Sequence, residues 1–448
     1  MSTKPPSGTR DFLPDEIRRR EHVIGVVRDV YERYGFEPLE TPAFENIDTL
    51  LGKYGDEGNK LIFKILRRGE HEGSGEADLA LRYDLTVPLA RVVAQYQNEL
   101  PKFFKRYQIQ PVWRADRPAK GRFREFYQCD IDSIGSTSTL VEVQLLGAVT
   151  EVLSKLGFHD FEVRVNHRQL LRSLLVNALA PEAQYPAILV ALDKFDKIGR
   201  EGVDKELIAQ GISEAVRTRI CNWAGAAFRQ DWLDKLEPQF PLIDDDGRAA
   251  FENLRQIFRL SAEMPSADRL RFQPSLARGL SYYTGAIMEI AVPDLAGSLG
   301  GGGRYDNLIG MFLGRDIPAC GFSLGLERII FVMTERNMFP PGVARSAADV
   351  MVTLWNEQSR QDAIALATEL RHSGLRVDLY SEAHKIGGQL KYAVGRNVPL
   401  VTIVGEDERA RGEVKIKNLL TREEQSVSRA DVGGRLREIL ASNRSASK

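Results

Sequence analysis

The stretch FKRYQIQPVWRADRPAKGRFREFYQCDID, residues 104–132, reads as two period-2 runs joined by a basic loop. Side chains of a strand alternate between its two faces. On the second run the even positions are Arg122, Arg124, Phe126, Gln128, Asp130 and Asp132. On the first they are Arg106, Gln108, Gln110 and Arg114. The odd positions Phe123, Glu125, Tyr127, Cys129 and Ile131 are largely apolar and suit a core. The loop 115–121 adds Arg117 and Lys120. An antiparallel pair would thus present cations at the loop end and carboxylates deeper in. Arginine forks suit a triphosphate, a buried carboxylate suits a cationic side chain, and Phe126 can stack on a base. The competing reading is a solvated polar strand face carrying ion pairs.

The remainder of the chain frames this hairpin. It has 448 residues, 43% hydrophobic and 27% charged, with a formal net charge of −1. That length suits about three domains, and near-neutrality confines any polyanion partner to a local patch. Cys129, Cys221 and Cys320 are far apart and form no C-x-x-C pair. Neither a zinc site nor a disulfide framework is expected, and a reducing, cytoplasmic setting fits. The sequence has no apolar run long enough for a membrane span and no signal-like leader.

Periodicity predicts a helix over 15–34, a Pro-bounded edge strand over 36–42, short strands at 61–66 and 80–83, and helices at 87–96 and 140–156. Residues 167–270 read as a helical insertion. Sheet-like sequence returns at 274–292, and FPPG at 339–342 signals a linker. Strand and helix then alternate over 349–428, predicting a small separate α/β domain. The expected division is a domain over 1–340, including the insertion, and another over 345–448.

Four further segments carry chemistry-bearing residues. PACGFSLGLER (318–328) reads as a strand entering a helix, with small residues Gly321, Ser323 and Gly325 on one face and Arg328 in the first helical turn, where an anion is favoured. Close strand packing is the alternative. SLGGGGRYD (298–306) reads as a glycine-rich loop before a helix and lacks the Gly-Lys-Ser/Thr of a nucleotide-cradling P-loop. ARGLSYYTG (277–285) puts Arg278, Tyr282 and Tyr283 at a turn entering a strand, with aromatic packing as the alternative. LRYDLT (81–86) offers Asp84 and Thr86 before a helix, where N-capping is the alternative.

Together these segments resemble the histidyl-tRNA synthetases, a class II aminoacyl-tRNA synthetase family. GTRDFLP (8–14) is similar to the family's opening signature, and residues 36–44 around Pro42 to class II motif 1, a dimer-interface element. Residues 105–132 resemble motif 2 and residues 321–328 motif 3. Residues 278–283 and 301–306 resemble the family's two histidine-specific segments. The resemblance implies an α+β catalytic domain, with an antiparallel sheet flanked by helices, and a C-terminal α/β anticodon-binding domain. It implies activation of histidine by ATP and its transfer to tRNA(His), in a homodimer, with Mg²⁺ carried mainly by the ATP phosphates and not by a protein-only cage.

Roles follow from the same resemblance. Arg114, Arg278 and Arg328 would act on the reacting phosphate. Arg114, Asp116, Arg122, Phe126, Glu289 and Arg328 would bind ATP. Asp84, Thr86, Arg114, Gln128, Arg278, Tyr282 and Tyr283 would hold histidine, with Asp132 choosing the imidazole. Arg371, Arg376, Lys385, Lys391, Arg396, Lys415 and Lys417 would supply the basic patch for tRNA. Ser281 stands where the family commonly has aspartate, and Ala119 puts no base-reading side chain on the motif 2 loop. The alternative is a synthetase-like regulatory subunit of ATP phosphoribosyltransferase. Such paralogues typically lack the C-terminal domain and have degraded motifs.

Overall fold

The computed structural model describes residues 3–445 apart from 68, 70–73, 225–231, 265–266, 278–281, 296, 341 and 344–347. It divides into two compact units, Met1–Phe12 with Arg20–Met338, and Leu13–Arg19 with Phe339–Lys448.

In chain order the first unit carries β1 (Glu37–Pro38), β2 (Phe44–Asn46), β3 (Lys64–Leu66), β4 (Ala77–Leu81), β5 (Phe104–Trp113) and β6 (Glu125–Ile134). Then come β7 (Glu162–His167), β8 (Leu270–Phe272), β9 (Ala286–Ala291), β10 (Ser298–Arg304) and β11 (Ala319–Gly325). The main sheet runs β1-β5-β6-β11-β10-β9-β7-β8, and a small one runs β2-β4-β3. The main sheet is parallel only at its edges, β1 on β5 and β7 on β8. β1 is only two residues long, and Pro38 brings no N–H to its ladder, although the following Leu39 amide donates to the Tyr107 carbonyl at 2.9 Å.

The alternation of residues 104–132 sets the register. Arg106 faces Asp132, Gln108 faces Asp130, and Gln110 faces Gln128. The opposite face of β6 buries Cys129 and Ile131 completely. Helix Pro14–Arg33 contributes Val23, Val27, Val30 and Tyr31 to the core. The Tyr31 hydroxyl donates to the Cys129 carbonyl at 3.1 Å, which gives that buried hydroxyl a partner. Each such Val or Ile, fully buried, contributes about 1.5–3 kcal/mol.

Two expectations are corrected. The glycine run at 298–306 is not a loop. Its residues form β10, hydrogen-bonded between β9 and β11. Glycine lowers strand propensity, which hid the strand, but close packing demands it here. A Cβ on Gly302 would sit 2.1 Å from the Gly321 carbonyl oxygen, and one on Gly300 would sit 2.5 Å from that of Ser323. The second correction concerns 274–292, where among the described residues strand structure begins only at Ala286. β8 stops at Phe272, and a turn closed by Leu276 N–H on the Gln273 carbonyl follows.

Between β7 and β8 the described chain is helical, with helices Arg168–Asn177, Tyr185–Leu192, Phe195–Ala209, Glu214–Ala224 and Asp245–Ser261. The last is amphipathic. Its Ala250, Phe251, Leu254, Ile257 and Phe258 are buried at helical spacing, and Asp244 caps its N-terminus through the Gly247 amide.

The second unit carries β12 (Val350–Val352), β13 (Val377–Leu379), β14 (Leu400–Ile403), β15 (Glu413–Asn418) and β16 (Glu424–Ser428), in the order β13-β12-β14-β15-β16. Helices Arg360–His372, Ile386–Gly395, Glu406–Arg411 and Val432–Ser445 accompany them. Its core joins Val350, Leu366, Leu400, Ile416 and Leu436. Among the described residues no helix is long and apolar enough to cross a membrane.

Candidate active site

The even face of β6, together with β10 and β11, floors a cavity of about 420 Å³. Asp84, Thr86, Arg114, Asp116, Arg122, Phe126, Gln128, Asp132, Tyr282, Tyr283 and Arg328 all line it. Glu289 does not. It lies on β9 opposite Gly301, outside the lining. Arg278 and Ser281 fall outside the described residues.

The loop end is cationic. Arg114 follows β5 directly, and its Nε donates to the Tyr83 carbonyl at 3.0 Å. Its guanidinium lies 4.3 Å from the Tyr83 ring centroid and 5.2 Å from that of Phe126. Stacking of this kind fixes a flexible side chain before any ligand arrives. Arg122 grips Asp116 with a fork, Nη2 to Oδ1 at 2.8 Å and Nε to Oδ2 at 3.2 Å. Ala119 and Arg122 close the loop by exchanging backbone hydrogen bonds, with Gly121 at a φ of +72°. Such a turn needs a residue without a Cβ. Arg124 is tied away from the cavity, to the Asp116 and Ser7 carbonyls. Arg328, in the first turn of helix Leu326–Glu335, donates to the Ser298 carbonyl at 2.7 Å.

The deep end is acidic and aromatic. Asp84 is 1% exposed. Its Oδ1 accepts from the Tyr54 hydroxyl and the Val87 amide, each at 3.0 Å, and its Oδ2 accepts from the Tyr282 hydroxyl at 3.3 Å. Asp84 therefore both braces the start of helix Thr86–Gln95 and faces the cavity. Burial pushes its pKa up, while the Val87 amide and Arg114 pull it back. Asp132 accepts from the Tyr305 hydroxyl and lies 2.8 Å from Arg106 Nη2. Burial raises its pKa too, against the pull of Arg106. Asp130 is raised further, to about 7, first by burial and then by the charge of Asp132, with Arg106 opposing. Burial and neighbouring carboxylates hold the hydroxyls of Tyr54, Tyr282 and Tyr305 well above the ordinary phenol range, so all three remain donors.

Several residues in or beside the lining carried no assigned role in the sequence. Tyr305 follows the glycine run and reaches Asp132 from β10's end. Arg106, fully buried, faces Asp132 across the hairpin; period 2 gave its face but not its partner, which the turn sets. Gly321 makes room for Asp132, since a Cβ there would sit 1.9 Å from Oδ1. Glu327 joins Arg20 at 2.8 Å and accepts from the Tyr127 amide at 2.8 Å. That pair spans 307 positions of sequence, so no local pattern could signal it. Lys197, from the helical insertion, also lines the cavity.

In the second unit four of the expected basic residues are ion-paired. Arg376 joins Asp349, Arg396 joins Asp378, Lys415 joins Glu408, and Lys417 joins Glu424.

Comparison with known proteins agrees with this geometry. A family model described as histidyl-tRNA synthetase matches residues 8–329, and one described as an anticodon binding domain matches residues 349–439. A relative from Christiangramia forsetii, named histidine–tRNA ligase, is 40% identical over 98% of this chain and 100% of its own. The crystal structure of histidyl-tRNA synthetase from a Nostoc species superposes with a TM-score of 0.82 at 29% identity, covering 98% of this chain and 99% of that one. A Bacillus halodurans structure, described as an ATP phosphoribosyltransferase regulatory subunit/histidyl-tRNA synthetase, superposes at 0.70 with 20% identity over 88% of this chain and 97% of its own, a likeness of fold alone. By its sequence from end to end and by its catalytic architecture, the chain belongs to the histidyl-tRNA synthetase family.

Proposed function

We propose that this protein is a histidine–tRNA ligase. It activates L-histidine with ATP to histidyl-adenylate and pyrophosphate, then transfers histidine to the 3′ end of tRNA(His). The observation that carries this reading is the polarity of one cavity. Arg114, Arg122, Arg328 and Phe126 gather toward the loop end, while Asp84, Asp132 and tyrosines gather at the other.

In the first step the histidine carboxylate attacks the ATP α-phosphorus in line and pyrophosphate leaves. Arg114, pre-set by the Tyr83 carbonyl and two rings, binds the α-phosphate and the attacking carboxylate. Arg328 holds the far side of ATP. Arg278 would stabilise the same phosphate. Phe126 stacks on adenine, and Arg122, steadied by Asp116, meets the outer phosphates. Mg²⁺ carried by those phosphates would add further charge neutralisation there. The two nearby acidic groups, Asp116 and Glu327, are already engaged by Arg122 and Arg20. Positioning and fixed charge then supply most of the acceleration.

Asp84, Thr86 and Gln128 hold the amino end of histidine. Asp132, with Tyr282 or Tyr283, takes the imidazole. A site of buried polar groups rejects analogues that leave them unpaired by about 10⁴–10⁵-fold, so no editing step is needed. In the second step a ribose hydroxyl of the terminal adenosine attacks the mixed anhydride. The second unit would read the anticodon, and the motif 1 segment supports a homodimer. Against the regulatory-subunit reading stand the intact motifs and the match of the second unit to an anticodon-binding model. Incubation with ATP, Mg²⁺, labelled histidine and unfractionated tRNA should yield acid-stable labelled tRNA. Adenylate formation without any transfer would overturn the ligase reading.

A further inference from the structure

Two oxygens in the deep half of the cavity have no hydrogen-bond partner among the described residues, Gln128 Oε1 and Asp130 Oδ1, while Asp132 Oδ2 lies 2.8 Å from Arg106 Nη2. All belong to side chains on one face of β6, and all three residues line the cavity. Gln128 is 8% exposed, and Asp130 and Asp132 are each 2% exposed. A buried carboxylate oxygen without a partner costs stability, so a site that keeps one at Asp130 is built for a ligand that brings a donor.

We propose that Asp130 is a second recognition residue for the substrate's side chain, accepting one ring N–H while Asp132 accepts the other, so that histidine binds as the imidazolium. This rests on the ligase reading, in which the imidazole lies over Asp132.

Spacing supports it. Residues two apart on a strand lie about 7 Å from each other. The ring nitrogens of imidazole lie about 2 Å apart, and two diverging hydrogen bonds of about 2.8 Å bring the accepting oxygens to roughly the same separation. Chemistry supports it as well. Neutral imidazole has one donor and one lone pair, and the lone pair would face a bare carboxylate oxygen. Imidazolium has two donors and satisfies both.

The charge balance agrees. Asp130 faces Arg106 and Gln108 from β5, the former at 4.0 Å, and Ser323 from β11. Asp132 on its own strand and Asp84 before helix Thr86–Gln95 add negative charge, while Arg82 is the other arginine within electrostatic reach. Tyr31 packs beneath from helix Pro14–Arg33. Among the described residues Asp130 and Asp132 share one guanidinium within 4.0 Å of both, that of Arg106, and it lies closer to Asp132. A cationic ring would add positive charge beside Asp130.

The test is ATP–pyrophosphate exchange at pH 7 with histidine and with 2-fluorohistidine, an isostere whose ring stays neutral there. Wild-type protein should favour histidine by at least about 100-fold in kcat/KM, since two charge-assisted bonds are at stake. Asp130→Asn should raise the KM for histidine by about 10–100-fold, leave the KM for ATP within about twofold, and narrow the discrimination to under about tenfold. Equal use of the two amino acids by the wild type would overturn the proposal without any variant. So would an unchanged KM and ratio in folded Asp130→Asn. Absence of any histidine-dependent exchange in the wild type would instead overturn the ligase reading, and this proposal with it.

Discussion

Asp132 and Gly321 pair across β6 and β11, and a Cβ on residue 321 would lie 1.9 Å from Asp132 Oδ1. The smallest residue on one strand therefore sets the position of the carboxylate on the next. Gly321→Ala must push Asp132 toward the cavity or away from Tyr305. Overpacking of this kind costs about 1–3 kcal/mol. The KM for histidine should rise by about tenfold or more while that for ATP changes little, because only the deep end is disturbed. Pyrophosphate exchange with each substrate varied in turn measures the split.

Arg114 is held by one hydrogen bond and two aromatic faces. Lysine keeps the charge but loses the planar fork and the stacking. Arg114→Lys should lower kcat for adenylate formation by about 10²–10³-fold, with a stability change within about 1 kcal/mol. Single-turnover adenylate formation and a urea melt check the two halves of that statement.

Asp130 gives the protein without ligand a pH signature. Burial raises its folded-state pKa to about 7, from an ordinary carboxylate value of 3.8. The folded state therefore binds the proton more tightly than the unfolded state does. Stability falls as pH rises from near 4 to near 7, with a limiting slope of about 1.4 kcal/mol per pH unit for one proton. Asp130→Asn removes that slope. Urea midpoints at pH 5 and pH 8 should show the variant gaining on the wild type as pH rises. Parallel curves would contradict it.

Removing residues 345–448 should weaken charging of tRNA while leaving histidine-dependent exchange largely intact, because the cavity is lined wholly by the first unit. Equal tRNA affinity with and without that segment, read by filter binding, would count against its role as the anticodon reader.

Much of the molecule could be read from its residues because strand alternation is a local signal. The even face of 122–132 follows from period 2 alone, whereas the register of Arg106 with Asp132 depends on the turn between the strands. The β10 strand was hidden for the opposite reason. Its glycines answer to backbone on the next strand, a tertiary demand that overrides local propensity. Arg20 with Glu327 and Tyr54 with Asp84 join distant segments, so only the folded chain brings them together. Asp130 stood in plain view on the even face, yet its unpartnered oxygen is a property of three strands at once.

The most direct test of the central claim is ATP–pyrophosphate exchange by the purified protein, screened across the twenty amino acids. Exchange with histidine alone, lost in Asp132→Ala, is the predicted result. Exchange with another amino acid, or none with histidine, would contradict the account.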